Sequence, residues 1–396
     1  MATSMNRRNW LKASALLAGS LTFISGAVTS VIAKPASMLR KKRMTDEMFD
    51  EMFDEMAAEE PSIPKLRARL FANENPFGPS SKAKKAIKEA LPTSYQYAFA
   101  KARELGGNIA AYEGVKKEQV MINAGSSPIL LAAALHFSKN GGNIISGDPS
   151  YEDLTDRVEG FNGKWVRVPL TSEYKLDLDA MEKAVDEKTS LVYIVNPNNP
   201  TGTVVDTAKL KAFCERVSKR TTVFVDEAYI DYLPDPRGTT LIDCVKKGQN
   251  VIVARTFSKL YGFAGLRVGY AIAQPEMIKT LSDYTNGDGS ISATSLNAAL
   301  ASYNDTDFLQ DALKKTNASK DYLYSVLTKE GYSYIPSSAN FVMFPLNMDA
   351  ERFVGEMMKR GVGVRPWKFN NKNWCRVSIG KMSEMQAFAE AFKEVS

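Results

Sequence analysis

The sequence predicts an α/β protein in which a mainly parallel, seven-stranded sheet lies between helices and a smaller α+β domain follows. Three observations carry this. Seven short apolar, β-rich runs recur at Val120–Asn123, Asn143–Ser146, Lys164–Val168, Leu191–Val195, Thr222–Val225, Val251–Ala254 and Arg267–Ala273. Helical patterns such as Ile129–Phe137 and Ala208–Val217 separate most of them. Most of the runs are apolar almost throughout, as strands covered on both faces must be. After about residue 292 the pattern changes: a helical stretch near 293–330 leads to strands at Tyr332–Ile335, Phe341–Phe344, Val362–Arg365 and Arg376–Ile379. Residues 93–292 are therefore expected to form the large domain and 293–396 the small one, with 61–92 as an arm contributing to the small domain.

Two segments stand in front. Residues 1–33 carry Arg7-Arg8 and then 21 uncharged residues ending in Val31-Ile32-Ala33, which reads as a twin-arginine export signal and a periplasmic destination. The alternative is a membrane anchor, since the run is long enough to span a bilayer; its Gly, Ser and Thr content favours cleavage. Residues 34–60 form a charged, Met-rich linker. Met44, Met48, Met52 and Met56 have helical spacing, while eight acids among residues 44–60 suit a solvated segment equally well.

Composition excludes several functions. Of the net charge of +6, Arg7, Arg8 and Lys12 supply three, which leaves no basic stripe for nucleic acid. His136 is the only histidine, so His-built metal sites and Ser-His-Asp triads, each of which needs a positioned imidazole, are almost excluded, and no metal is expected. It ends the apolar run Ile129–Leu135 as a helix-end residue would. Cys214, Cys244 and Cys375 are too widely spaced for a disulfide framework or a metal knuckle.

In sheets of this class ligands sit at the carboxyl ends of the strands, so the residues just after each strand matter most. Gly125-Ser126-Ser127 stands between a strand and a helix, either as an anion site or as a simple N-cap. Asn196-Pro197-Asn198-Asn199-Pro200-Thr201-Gly202 is a turn, or a rigid loop presenting the Asn199 amide. Asp226, in Asp226-Glu227-Ala228-Tyr229, ends a buried strand, where a carboxylate can hold a pyridine nitrogen protonated, bind a metal or cap a helix. Tyr229 is near enough in sequence to reach the ring's phenolic oxygen. Thr256-Phe257-Ser258-Lys259 puts a lysine where a Schiff base can form, or where a lysine is merely solvated. Arg267, flanked by Gly265 and Gly269, suits a phosphate dianion or an ordinary Gly-rich turn.

Together these segments, with Asn73-Glu74-Asn75-Pro76-Phe77-Gly78-Pro79 and Cys375-Arg376-Val377-Ser378, resemble the fold-type I pyridoxal-phosphate (PLP) aminotransferases. Within them the chain is similar to the histidinol-phosphate aminotransferase branch, from about Phe71 to Gly380. The resemblance implies that Lys259 is the Schiff-base lysine and Asp226 the pyridine-nitrogen partner. It implies that Asn199 and Tyr229 contact the ring oxygen and that Tyr151 stacks on the ring. Gly125, Ser126, Ser127, Thr256, Ser258 and Arg267 would hold the phosphate. Arg376 would grip the substrate carboxylate, with Asn75 and Arg365 beside the substrate. Tyr95 would reach the phosphate of a neighbouring subunit, which implies a homodimer with shared active sites. The substrates implied are an amino acid and a 2-oxo acid. The sequence departs from the pattern at Pro128, at Tyr95-Gln96-Tyr97 and in the loop Pro366–Trp374. Phe77, Tyr97, Trp367 and Trp374 are the basis for expecting an aromatic or bulky amino acid.

A PLP decarboxylase or lyase would keep Lys259, Asp226 and Arg267 and stays open beside the aminotransferase. A non-catalytic PLP-binding protein is disfavoured by the complete catalytic set. A nicotinamide dehydrogenase is disfavoured because no Gly-x-Gly-x-x-Gly follows the first strand.

Overall fold

The structure is a computed structural model that describes residues 66–395. Residues 1–33, expected to be an export signal, residues 34–60, expected to be a linker, and the first residues of the expected arm lie outside the described residues.

A short strand, β1 (Ala68–Arg69), precedes the large sheet. That sheet contains β2 (Val120–Asn123), β3 (Asn143–Asp148), β4 (Lys164–Pro169), β5 (Thr189–Val195), β6 (Thr222–Asp226), β7 (Val251–Thr256) and β8 (Gly269–Ile272). The order across it is β2-β8-β7-β6-β5-β3-β4. Strands β3 to β7 pair in parallel, and β8 runs against both of its neighbours, β7 and β2. All seven expected runs are strands. β8 begins two residues later than expected because Arg267 sits at φ +54°, a left-handed conformation that a strand cannot contain.

Strand periodicity explains the layering. Val192, Ile194, Val223, Val225, Val251 and Val253 face one core, and Leu191, Tyr193, Phe224, Ile252 and Ala254 face the other. The helix Thr207–Val217 delivers Leu210, Phe213 and Val217 to the first core. The helix Ser127–Ser138 delivers Ile129, Leu130 and Ala133 to the second. Each fully buried Val, Leu, Ile or Phe among these contributes about 1.5–3 kcal/mol against the entropy of ordering the chain. His136 lies in the last turn of that second helix, edge-on to Phe137 and Tyr284, and burial lowers its pKa.

The remaining strands are β9 (Phe341–Pro345), β10 (Val362–Gly363), β11 (Arg365–Phe369) and β12 (Lys372–Ser378). β1 pairs in parallel with β10, while β11, β12 and β9 form an antiparallel sheet. The helices Thr306–Lys329, Ala350–Lys359 and Met382–Val395 pack around these strands.

Two expectations are corrected here. Tyr332–Ile335 is not a strand: only Ile335 bridges to Met343, while the rings of Tyr332 and Tyr334 pack on Phe392 and Tyr324. The segment Pro366–Trp374 is not a loop but most of a β-hairpin. Its turn residues, Asn370 and Asn371, have φ of +50° and +55°, as a two-residue hairpin turn of this kind requires and asparagine tolerates.

Candidate active site

Chain direction builds the site. β2, β3, β5, β6 and β7 end at one edge of the sheet, so the segments following them gather there. The reversed strand β8 begins at that same edge, which brings Arg267 in from its start.

Asp226 closes β6 and is 2% exposed. Its Oδ1 accepts from the Ala228 amide at 3.0 Å and its Oδ2 from the Tyr193 hydroxyl at 3.3 Å. Burial pushes its pKa up to about 6, with the Ala228 amide, the Tyr193 hydroxyl and the Lys259 charge opposing. The adjacent acid, Glu227, serves another purpose: it accepts from the Leu241 amide, the Thr240 hydroxyl and Arg255 Nε at 2.9 Å. Arg255 also donates to Glu113 at 2.7 Å, and the three form a buried ionic cluster under the ends of β6 and β7. An arginine inside the apolar run Val251–Thr256, next to a strand ending in two acids, was the sequence signal for it.

The Gly125-Ser126-Ser127 turn is more than a cap. Ser126 occupies the N-cap position of Ser127–Ser138 without a capping hydrogen bond from its side chain, so its hydroxyl is not spent on the helix. A Cβ on Gly125 would come within 2.3 Å of Arg267 Nη2, and one on Gly269 within 2.5 Å of the Gly125 carbonyl carbon. Glycine at both positions lets the guanidinium lie against the turn. Arg267 Nη1 donates to Ser258 Oγ at 3.2 Å, and Thr256 Oγ1 donates to Ser258 Oγ at 2.9 Å. A guanidinium, hydroxyls and a helix N-terminus thus converge, the kind of donors an anion requires.

Lys259 is half-buried, with Nζ 5.3 Å from the centre of the Tyr229 ring. Tyr229 is 3% exposed, packs edge-on to Phe341, and its hydroxyl accepts from Asn73 Nδ2 at 3.0 Å. The Asn75 amide donates to the Leu260 carbonyl at 2.6 Å and so fixes the residue after Lys259. Tyr151 is partly buried and packs on the core behind β5.

The antiparallel sheet reaches across. Arg376, on β12 and 3% exposed, donates to Asn199 Oδ1 at 2.7 Å and to the Phe71 carbonyl at 2.7 Å. Arg365 is its partner across the hairpin and is also buried. Asn198, beside Asn199, donates to the Pro149 carbonyl and to Thr201, which ties the loop after β5 to the one after β3.

Tyr95 is not brought to this group: it is 82% exposed, and its hydroxyl accepts from Gln96. The four aromatic residues expected to indicate a bulky substrate do not converge either. Trp374 is stacked inside the hairpin on Phe369 at 4.7 Å, with Trp367 packed on the same cluster, and Tyr97 is 81% exposed. Phe77 alone packs on the Tyr229 cluster. Among the described residues, no group of three or more His, Cys, Asp or Glu is placed to hold a metal.

The family model described as aminotransferase class I and II matches residues 68–392. The chain belongs to that family. This aminotransferase is 35% identical to the histidinol-phosphate aminotransferase of Moorella thermoacetica over 329 residues, which are 83% of this chain and 85% of the relative. It is 32% identical to the aromatic amino acid aminotransferase of Cutibacterium acnes over 82% of this chain and 92% of that protein. It superposes on the histidinol-phosphate aminotransferase of Sinorhizobium meliloti, solved in complex with pyridoxal-5'-phosphate, with a TM-score of 0.80 and 29% identity, covering 86% and 93% of the two chains.

The residues of this aminotransferase fit PLP. The Gly125 and Gly269 cradle with Arg267, Ser258 and Thr256 has the donors a phosphate dianion needs. Asp226 is an acid kept from water, and a protonated pyridine nitrogen would compensate its buried charge. Tyr193 and Asn73, which sequence reasoning left without roles, brace Asp226 and Tyr229 directly.

Proposed function

We propose that this protein is a PLP-dependent aminotransferase that moves an amino group from an amino acid, or an amine resembling one such as histidinol phosphate, to a 2-oxo acid. The supporting observation is the convergence of Lys259, buried Asp226 and the Arg267–Ser258–Thr256 group at one sheet edge, with Arg376 meeting Asn199 above it.

When bound, PLP supplies a carbonyl for covalent attachment of an amine and a ring that withdraws electrons from the substrate's α-carbon. Lys259 Nζ would hold the cofactor through that carbonyl carbon, the position a substrate amine also takes. When not so engaged, Nζ would act as general base toward the proton on the substrate's α-carbon. Asp226 would keep the ring nitrogen protonated. Tyr229 and Asn199 would hold the ring oxygen, and Tyr151 would pack against the ring. Ser126, Ser127, Thr256, Ser258 and Arg267 would bind the phosphate. Arg376 binds the α-carboxylate, with Arg365 and Asn75 beside it, and so orients the α-hydrogen toward Lys259. A second half-reaction with a 2-oxo acid uses the same groups in reverse, giving ping-pong kinetics.

The test is to add single amino acids, and histidinol phosphate, to the PLP-loaded protein with no oxo acid present. The expected result is loss of the visible cofactor band, with one equivalent of oxo product per site, from a subset of donors. Release of carbon dioxide without an oxo acid would replace this reading with a decarboxylase on the same fold.

We further infer a homodimer in which Tyr95 serves the partner's phosphate site. Leu91, Tyr95, Tyr97 and Phe99 form an exposed, largely aromatic row, with Tyr97 stacked on Phe99 at 5.4 Å, which a lone chain has no reason to keep in water. Light scattering should return twice the chain mass at micromolar concentration, and Tyr95→Ala should weaken PLP retention about tenfold, the cost of one phosphate contact. A fully active monomer would overturn the inference.

A further inference from the structure

We propose that Asn73 is a positioning residue that orients the hydroxyl proton of Tyr229, and that through it the strand carrying Arg376 sets how Tyr229 meets the cofactor. This rests on the reading of Tyr229 as the partner of the ring oxygen.

Asn73 is 2% exposed and sits at φ +53°, in the left-handed region that asparagine tolerates better than most residues. Such a conformation persists where its surroundings over-determine it. Here every polar group of the residue is engaged. Its backbone N–H donates to Ser378 Oγ at 2.8 Å, and its carbonyl accepts from Asn340 Nδ2 at 3.0 Å. Its Oδ1 accepts from Ser378 Oγ at 2.8 Å, and its Nδ2 donates to the Tyr229 hydroxyl at 3.0 Å.

The direction of these bonds matters. Ser378 Oγ has one proton and gives it to Asn73 Oδ1, which turns the amide nitrogen toward Tyr229. A tyrosine hydroxyl has one proton to donate. Because its oxygen accepts from Asn73, that proton remains available for a second acceptor, the ring oxygen. An acceptor in place of Nδ2 would take the proton instead. Ser378 lies two residues beyond Arg376 on β12, so the strand that binds the substrate carboxylate also fixes the amide.

The test uses the PLP-loaded protein carrying Asn73→Asp, Asn73→Gly, Tyr229→Phe, and Asn73→Asp with Tyr229→Phe. Aspartate keeps the shape but only accepts; glycine removes the amide while tolerating the backbone conformation, and carries the test if the aspartate variant does not fold. The readouts are the pH midpoint at which the cofactor's visible band changes, and kcat and KM for the amino donor. A hydrogen bond to the deprotonated ring oxygen favours that form, so losing it raises the midpoint. Asn73→Asp and Tyr229→Phe should each raise it by about one pH unit, and Asn73→Gly by about half as much. In Asn73→Asp kcat should fall about tenfold with KM within about twofold, as expected for an interaction that matters in the transition state. Adding Asn73→Asp to Tyr229→Phe should move the midpoint no further. If Tyr229→Phe shifts the midpoint and the Asn73 variants do not, Asn73 is only structural and the proposal fails. It fails also if the aspartate shifts the midpoint equally in both backgrounds, since its charge then acts without Tyr229. An unmoved midpoint in Tyr229→Phe itself sinks the underlying reading of Tyr229.

Discussion

Lys259→Ala should reduce turnover by about 10⁴-fold or more, the combined loss of a covalent anchor and a general base. The residue sits just beyond the end of β7, Asn75 holds the backbone one position beyond it, and its Nζ lies 5.3 Å from the centre of the Tyr229 ring. Borohydride reduction of the loaded parent followed by peptide mass mapping should find the cofactor on Lys259, and the variant should show no such adduct. Turnover within tenfold of the parent, or cofactor trapped on another lysine, would remove Lys259 from the mechanism.

The second large effect belongs to Asp226→Asn, which should lower kcat about 10²–10³-fold, the usual cost of one preorganised electrostatic partner. It also predicts a pH dependence of stability without cofactor. The carboxyl is raised from 3.8 in its ordinary state to about 6 when folded, mainly by burial. Between those values the folded chain holds a proton that the unfolded chain has lost. Stability from this group is therefore full below the ordinary value and falls as pH rises through about 6. Cofactor-free parent should lose about 2 kcal/mol relative to cofactor-free Asp226→Asn between about pH 4.5 and pH 7.5. Asp231, also pushed up to about 6, is common to both and cancels. A positive ring nitrogen beside Asp226 opposes the penalty, so the gap should narrow in the PLP-loaded proteins. Denaturant melts across this range check both statements; parallel curves for the two cofactor-free proteins would show that Asp226 does not carry the effect.

How much of this was legible in the sequence varies with the kind of interaction. Strand runs and the turns that follow them are local, and β2 to β8 with their attached motifs could be read directly. What escaped was made by partners distant along the chain. Tyr193 reads as one more apolar strand residue until β6 lies beside β5 and brings Asp226 to its hydroxyl. Asn73 belongs to a recognisable motif, yet its task depends on Ser378 and Tyr229, both far from it in sequence. The hairpin of β11 and β12 is a different case: paired asparagines between two aromatic runs signal a tight turn locally, where a loop is expected from composition alone. The aromatic residues beside that turn pack on one another, which is why composition near a site is a poor guide to what the site accepts.

The hydrogen bond from Arg376 to the Phe71 carbonyl joins residues 305 positions apart. Chain synthesis runs from the amino end, so among the described elements β12 follows Phe71 by almost the whole unit. Closing so long a loop is an entropic cost that no local segment can meet early. The part of the site that Arg376 supplies therefore comes into being only when the described unit is almost complete. A product truncated before β12 is expected to lack it even where the Gly125–Arg267 turn has formed.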